Sequence, residues 1–108
     1  MKTLKFRQNL AEEILAGRKT ATWRIFDDKD LQVGDRLEFI IWESKEKFAE
    51  AEILSICEKK LKDIEEKDYL GHEKFVSNEE MLNNYRNFYG EKVNWDTLVK
   101  MIDFKVLI

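Results

Sequence analysis

The segment Gly17-Arg18-Lys19-Thr20-Ala21-Thr22-Trp23-Arg24 sets two cations at a turn and then brings hydroxyls and a third cation in at alternate positions. In an extended strand, alternation sends Ala21, Trp23 and Ile25 to one face and Thr20, Thr22 and Arg24 to the other. Lys19, at the turn, can bend over that second side. Cations and hydroxyls on one face can hold a phosphate or the polar edge of a nucleoside. The same pattern also describes a Thr-rich face turned to solvent with ordinary surface cations, and the pattern leaves both open. Lys2, Lys5 and Arg7 would extend the cationic rim of Arg18, Lys19 and Arg24.

Indole rings stack on bases but also fill cores. Trp23 falls on the apolar face of its strand and reads as core. Trp42 lies opposite Leu37, Phe39 and Ile41 and is the better stacking candidate, and Trp95, entering the last strand, could border the same pocket. With one His and one Cys, the chain has no His-Glu-x-x-His or Cys-x-x-Cys spacing, so a zinc-activated water has no ligand set and no metal or other cofactor is expected. His72, alone in a loop, reads as exposed, with a ligand contact as the alternative. Cys57, at a strand end, reads as core rather than nucleophile. Asp27, Asp28 and Asp30 lack the spacing and glycine of a calcium loop and read as an acidic turn.

These residues need elements to position them. Leu10, Ala11, Ile14 and Leu15 recur at helical spacing over residues 8–16, and Gly17 follows where a left-handed cap belongs. A strand over 20–25 comes next, then a polar loop and the turn Gly34-Asp35. Arg36 to Trp42 and about Phe48 to Cys57 form an antiparallel hairpin, with Leu37, Phe39 and Ile41 on one face of the first arm and Ala49, Ala51 and Ile53 on one face of the second. Leu61 and Ile64 suit one or two helical turns in the charged connector 59–67. Ser77-Asn78-Glu79-Glu80 fits a capping box. It opens a helix whose apolar stripe is Met81, Leu82, Tyr85, Phe88 and Tyr89, stopped by Gly90. Ile102, Phe104, Val106 and Ile108 alternate as a terminal strand. The order β, α, β, β, β, α, β argues for α+β, with helices packed on a curled sheet.

At 108 residues the chain has room for one hydrophobic core and one domain, spanning 1–108. Hydrophobic residues make up 44% of it, enough to offset the entropy of folding. The charged fraction, 38%, exceeds the roughly 25% usual for soluble domains. The net charge of −3 argues against nonspecific DNA coating, which needs a positive field. A single cysteine forms no intramolecular disulfide, and no apolar run follows Met1 to act as a signal peptide, so a cytoplasmic protein is expected. Runs such as Phe39-Ile40-Ile41-Trp42 are far short of the about 20 residues that cross a bilayer.

The Gly17 to Arg24 segment, the Gly34-Asp35 turn and the ending from Val93-Asn94-Trp95 to Phe104 together resemble the ASCH family, over nearly the whole chain. Ile14 to Thr20, followed by Thr22 and Arg24, looks especially like the small stand-alone bacterial 4-acetylcytidine amidohydrolases built on this fold. The resemblance implies a PUA-like, mainly antiparallel β-barrel with two main helices. It also implies a metal-independent amidohydrolase that removes the acetyl group from 4-acetylcytidine or a related acylated nucleoside, with Lys19 as proton acceptor, Thr22 as nucleophile and Glu73, reached through a one-residue shift, as proton donor. Arg18, Thr20, Arg24, Trp42 and Trp95 would then contact substrate. The other expectation is a non-catalytic module that reads RNA or a modified nucleotide through the same cationic pocket. The loop Gly71-His72 and the bulky Trp23 depart from the family pattern, which bears on substrate preference.

Overall fold

The computed structural model describes residues 1–27, 29–72, 74–75 and 77–107. The elements in order are β1 (Lys2–Phe6), α1 (Gln8–Leu15), β2 (Ala21–Ile25), β3 (Arg36–Ile41), β4 (Lys47–Lys60), two short 3-10 turns (Leu61–Asp63 and Glu66–Tyr69), α2 (Asn78–Tyr89) and β5 (Leu98–Val106). Ala11 and Ile14 are the buried face of α1, and Gly17 leaves it at φ 81°, a backbone conformation that costs glycine nothing. At the start of α2 the Ser77 hydroxyl accepts from the Glu80 backbone N–H at 3.1 Å, as the capping sequence predicts. The connector forms two 3-10 turns in place of an α-helix, and Leu61 is buried there. No helix among the described residues is long and apolar enough to cross a membrane.

The five strands form one curled sheet in the order β1-β3-β4-β5-β2. The β1–β3 pair is parallel and the other pairs are antiparallel, so the sheet is mixed and mainly antiparallel. The half-barrel has β1 and β2 as its two edges, and a side chain spans the gap between them. Arg24 on β2 donates from Nη2 to the Lys5 carbonyl on β1 at 3.1 Å and lies over the Phe6 ring at 4.8 Å. Thr20 and Ala21 donate their N–H groups to the Gly71 carbonyl at 2.8 and 3.1 Å, which docks the loop before α2 on the start of β2.

Two bulges reset the alternation. In β4 the register shifts between Ile53 and Ser55, leaving Leu54 half exposed. Ala49, Ala51 and Ile53 are buried before it, and Ile56 is the inward residue after it. This corrects the reading of Cys57 as core: it is exposed, because the extra residue turns it outward. The second shift, between Phe39 and Ile40, comes just before Trp42. Strands β4 and β5 also run further than their patterns suggest, pairing through Lys60 and Leu98.

Buried side chains fall into two clusters rather than the single one expected. One joins Leu4, Phe6, Ile14, Leu37, Phe39, Ile53, Ile102 and Phe104. The other joins Trp23, Ile25, Leu61, Met81, Leu82, Tyr85, Val93 and Val99. Ile102 and Val99 belong to different clusters, so β5 is covered on both faces. Thr22 pairs with Ile102 and Trp23 with Met101, so each face of β2 also meets a packed layer. The polar face of this strand, which the pattern left open to solvent or to a pocket, is enclosed, and Thr22 is only 4% exposed.

Candidate functional site

The open seam of the half-barrel holds a cavity of about 150 Å³. Its walls come from the two sheet edges, with Lys5, Phe6 and Arg7 on one side and Thr22, Trp23 and Arg24 on the other. Helix α2 roofs it with Asn84, Tyr85, Phe88 and Tyr89, and Lys19, His72 and Trp42 complete the lining with Leu10 and Phe75. The space exists because β1 and β2 do not pair, which leaves side chains where a barrel would have ladder hydrogen bonds. Its ends differ. Lys19, Thr22 and Trp23 are each 4% exposed, whereas Trp42 is 45% and Phe88 60% exposed.

At the buried end, Lys19 stands two residues beyond the Gly17 cap, and its Nζ donates to the Ala21 carbonyl at 2.7 Å. Such depth is unusual for lysine, whose charge is costly to remove from water. His72 stacks on Trp23 with ring centroids 4.0 Å apart and 14° between planes. Behind it, Tyr69 packs on Trp23 at 5.0 Å and its hydroxyl meets Met81 Sδ at 3.6 Å; burial, with the nearby Glu66, holds that phenol above its ordinary pKa. At the mouth, the Arg7 guanidinium lies 4.0 Å and the Lys45 ammonium 4.5 Å from the Trp42 ring centroid. Both cations already cover that indole, so it is less available to a base than its exposure alone suggests.

The structure brings Lys19, Thr22, Arg24 and Trp42 to one cavity, with Lys5 and Arg7 beside them. It does not bring Arg18, Thr20 or Trp95. Arg18 pairs with Glu13 on α1 and is exposed. Thr20 is exposed and lies against Gly71. Trp95 packs on the α2 cluster because its segment turns back against the first 3-10 turn, where its carbonyl accepts from Lys62 N–H at 3.0 Å. Glu73, Asp28 and Ile108 lie outside the described residues. His72 is half-buried and lines the cavity, contrary to its reading as an exposed loop residue. Phe88 and Asn84 were not legible as site residues: Phe88 fits an apolar helical stripe and Asn84 carries no signal. Asp27 belongs to a structural ion pair, its carboxylate 2.8 Å from Lys100 Nζ and accepting from the Lys29 and Leu31 N–H groups. Among the described residues no three His, Cys, Asp or Glu side chains gather as a metal site.

Neither a protein-family model nor a curated protein matches the sequence. Solved structures match its fold. A protein of Enterococcus faecalis V583 assigned to the family model DUF984 is 18% identical, with 92% of this chain and 70% of that chain covered at a TM-score of 0.77. An ASCH domain from Lactobacillus crispatus is 20% identical over 97% and 79% of the two chains, with a TM-score of 0.71. The ASCH protein of Zymomonas mobilis is 12% identical over 95% and 65%, with a TM-score of 0.68.

Proposed function

We propose that this chain, an α+β half-barrel of the ASCH type, is an amidohydrolase that removes the acetyl group from the exocyclic nitrogen of 4-acetylcytidine or a closely related acylated base. The observation that carries the reading is the burial of Lys19 and Thr22, both 4% exposed, in one largely aromatic cavity. A lysine and a hydroxyl buried together at the closed end of such a pocket are the residue types that nucleophilic and acid–base chemistry requires. The size agrees: the whole cavity, about 150 Å³, is on the scale that accommodates one benzene-sized ring, so it takes a six-membered base and leaves the sugar outside.

In the proposed reaction the Thr22 hydroxyl attacks the acetyl carbonyl while its proton passes to the Lys19 amine. A neutral amine has two N–H groups and one lone pair, so it can donate to the Ala21 carbonyl and still accept that proton. The step requires that amine to be neutral when it takes the proton. Collapse of the tetrahedral intermediate breaks the bond to the cytosine nitrogen, which takes a proton from an acid, the role that the family resemblance gives to Glu73. Water then hydrolyses the threonine ester to acetate.

The test is incubation of the purified protein with 4-acetylcytidine and chromatographic detection of cytidine. Lys19→Ala and Thr22→Ala are each expected to lower turnover by about 10³-fold or more while keeping the wild-type circular dichroism spectrum. A Thr22→Ala variant near the original rate would remove the threonine from its role. A second reading, a non-catalytic reader of a nucleotide within RNA, is favoured by the exposed cationic and aromatic mouth of Lys5, Arg7 and Phe88. It gains if the wild type is inert and RNA affinity falls steeply with salt.

A further inference from the structure

The cavity is electrically one-sided. Lys5, Arg7, Lys19 and Arg24 line it, and among the described residues no carboxylate does, on a chain whose net charge is −3. Several cations elsewhere are matched by carboxylates, among them Lys2 with Asp35, Arg18 with Glu13, Lys59 with Asp68 and Lys100 with Asp27. At the rim, Lys5 and Arg7 are exposed, and among the described residues neither pairs with a carboxylate. Glu43, next to Trp42 in the chain, accepts from the Gln8 backbone N–H at 3.0 Å.

The Arg7 guanidinium lies 4.0 Å from the Trp42 centroid and 5.9 Å from that of Phe88. Stacking of this kind uses the flat faces of a guanidinium and leaves its in-plane N–H donors for a two-pronged contact with an anion. Lys5 and Arg7 are two positions apart on or just beyond β1, so their side chains leave on the same side. We propose that the site takes its nucleoside in phosphorylated form, with Lys5 and Arg7 holding the phosphate at the rim while the base occupies the closed end. The proposal rests on the reading above that a cytosine ring is the occupant.

The test measures binding by calorimetry at about 50 mM salt, where phosphate contacts are strong. The ligands are cytidine, cytidine 5′-monophosphate, cytidine 3′-monophosphate and a short oligoribonucleotide with one cytidine, against the wild type, Lys5→Ala and Arg7→Ala. At least one phosphorylated ligand is expected to bind about tenfold or more tighter than cytidine. That gap should shrink to within about threefold in either variant, with Arg7→Lys intermediate. The tightest ligand distinguishes a free nucleotide from a phosphodiester within a chain. Equal binding of all four to the wild type, no binding by any, or a gap that survives both substitutions overturns the proposal. Since binding is read and not turnover, a protein that hydrolyses 4-acetylcytidine but shows no gap loses the phosphate site alone. One that shows the gap without hydrolysis loses only the chemistry assigned to Lys19 and Thr22.

Discussion

Gly71 shows how closely the pocket's loop is fitted. It sits at φ 76°, and a Cβ built there would lie 2.1 Å from Thr20 Oγ1. Two costs would follow from Gly71→Ala, one from the left-handed backbone and one from the collision. The variant is expected to lose about 2–3 kcal/mol in urea unfolding, with about 1–2 kcal/mol of that from the backbone. Adding Thr20→Ala should recover the collision component and leave the backbone component, so a double-mutant cycle separates them. His72 follows directly and stacks on Trp23, so Gly71→Ala should also weaken cytidine binding beyond what the stability change explains. At this scale the chain was partly legible. Thr22 and Arg24 were readable because alternation is local, and Lys19 because it stands at the turn before them, whereas Thr20 shares the face of Thr22 and Arg24 in the pattern but lies before β2 begins, where Gly71 holds it.

The two helices are legible as elements, and their work for the site differs. Helix α1 joins the two edge strands and delivers the Gly17 turn to Lys19. Helix α2 roofs the cavity, and its start depends on Ser77. Ser77→Ala is expected to cost about 1 kcal/mol of stability in denaturant unfolding, by releasing the Glu80 N–H that the hydroxyl now satisfies. The apolar stripe of α2 identified which face turns inward but not that it divides between two duties. Met81 and Leu82 enter the core, while Phe88, on the same stripe, stands 60% exposed at the cavity mouth. Helical spacing assigns a face; it carries nothing about where along that face the partner surface ends. For the strands, each bulge shifts the phase of the pattern, which is why Cys57 was misread.

For the whole molecule, acid is the condition under which the charge pattern matters most. Partial burial alone would raise the Asp27 carboxyl, but Lys100 and the Leu31 and Lys29 N–H groups outweigh it and hold the group below its ordinary 3.8. Asp68 behaves likewise: burial is opposed by the Glu65 N–H and Lys59, and the net shift is downward. A carboxyl depressed in the folded state contributes stability that is fully present above its unfolded pKa and disappears as pH falls through the folded one. Unfolding free energy should therefore hold steady above about pH 5 and decline below about pH 4. Asp27→Asn should be less stable at neutral pH and show a shallower decline, read from urea midpoints across the range.

The sequence by itself determined the α+β class, the order of elements, the helix caps and the set of cations and hydroxyls from which a site could be made, because periodicity and capping act over a few residues. Tertiary structure alone decided that β1 and β2 become unpaired edges facing each other across a seam, that the polar face of β2 is enclosed, and that Trp42 reaches the mouth while Trp95 does not. Those outcomes depend on strand order, bulge placement and sheet curvature. Each is set by contacts between residues far apart in the chain, which no local pattern encodes.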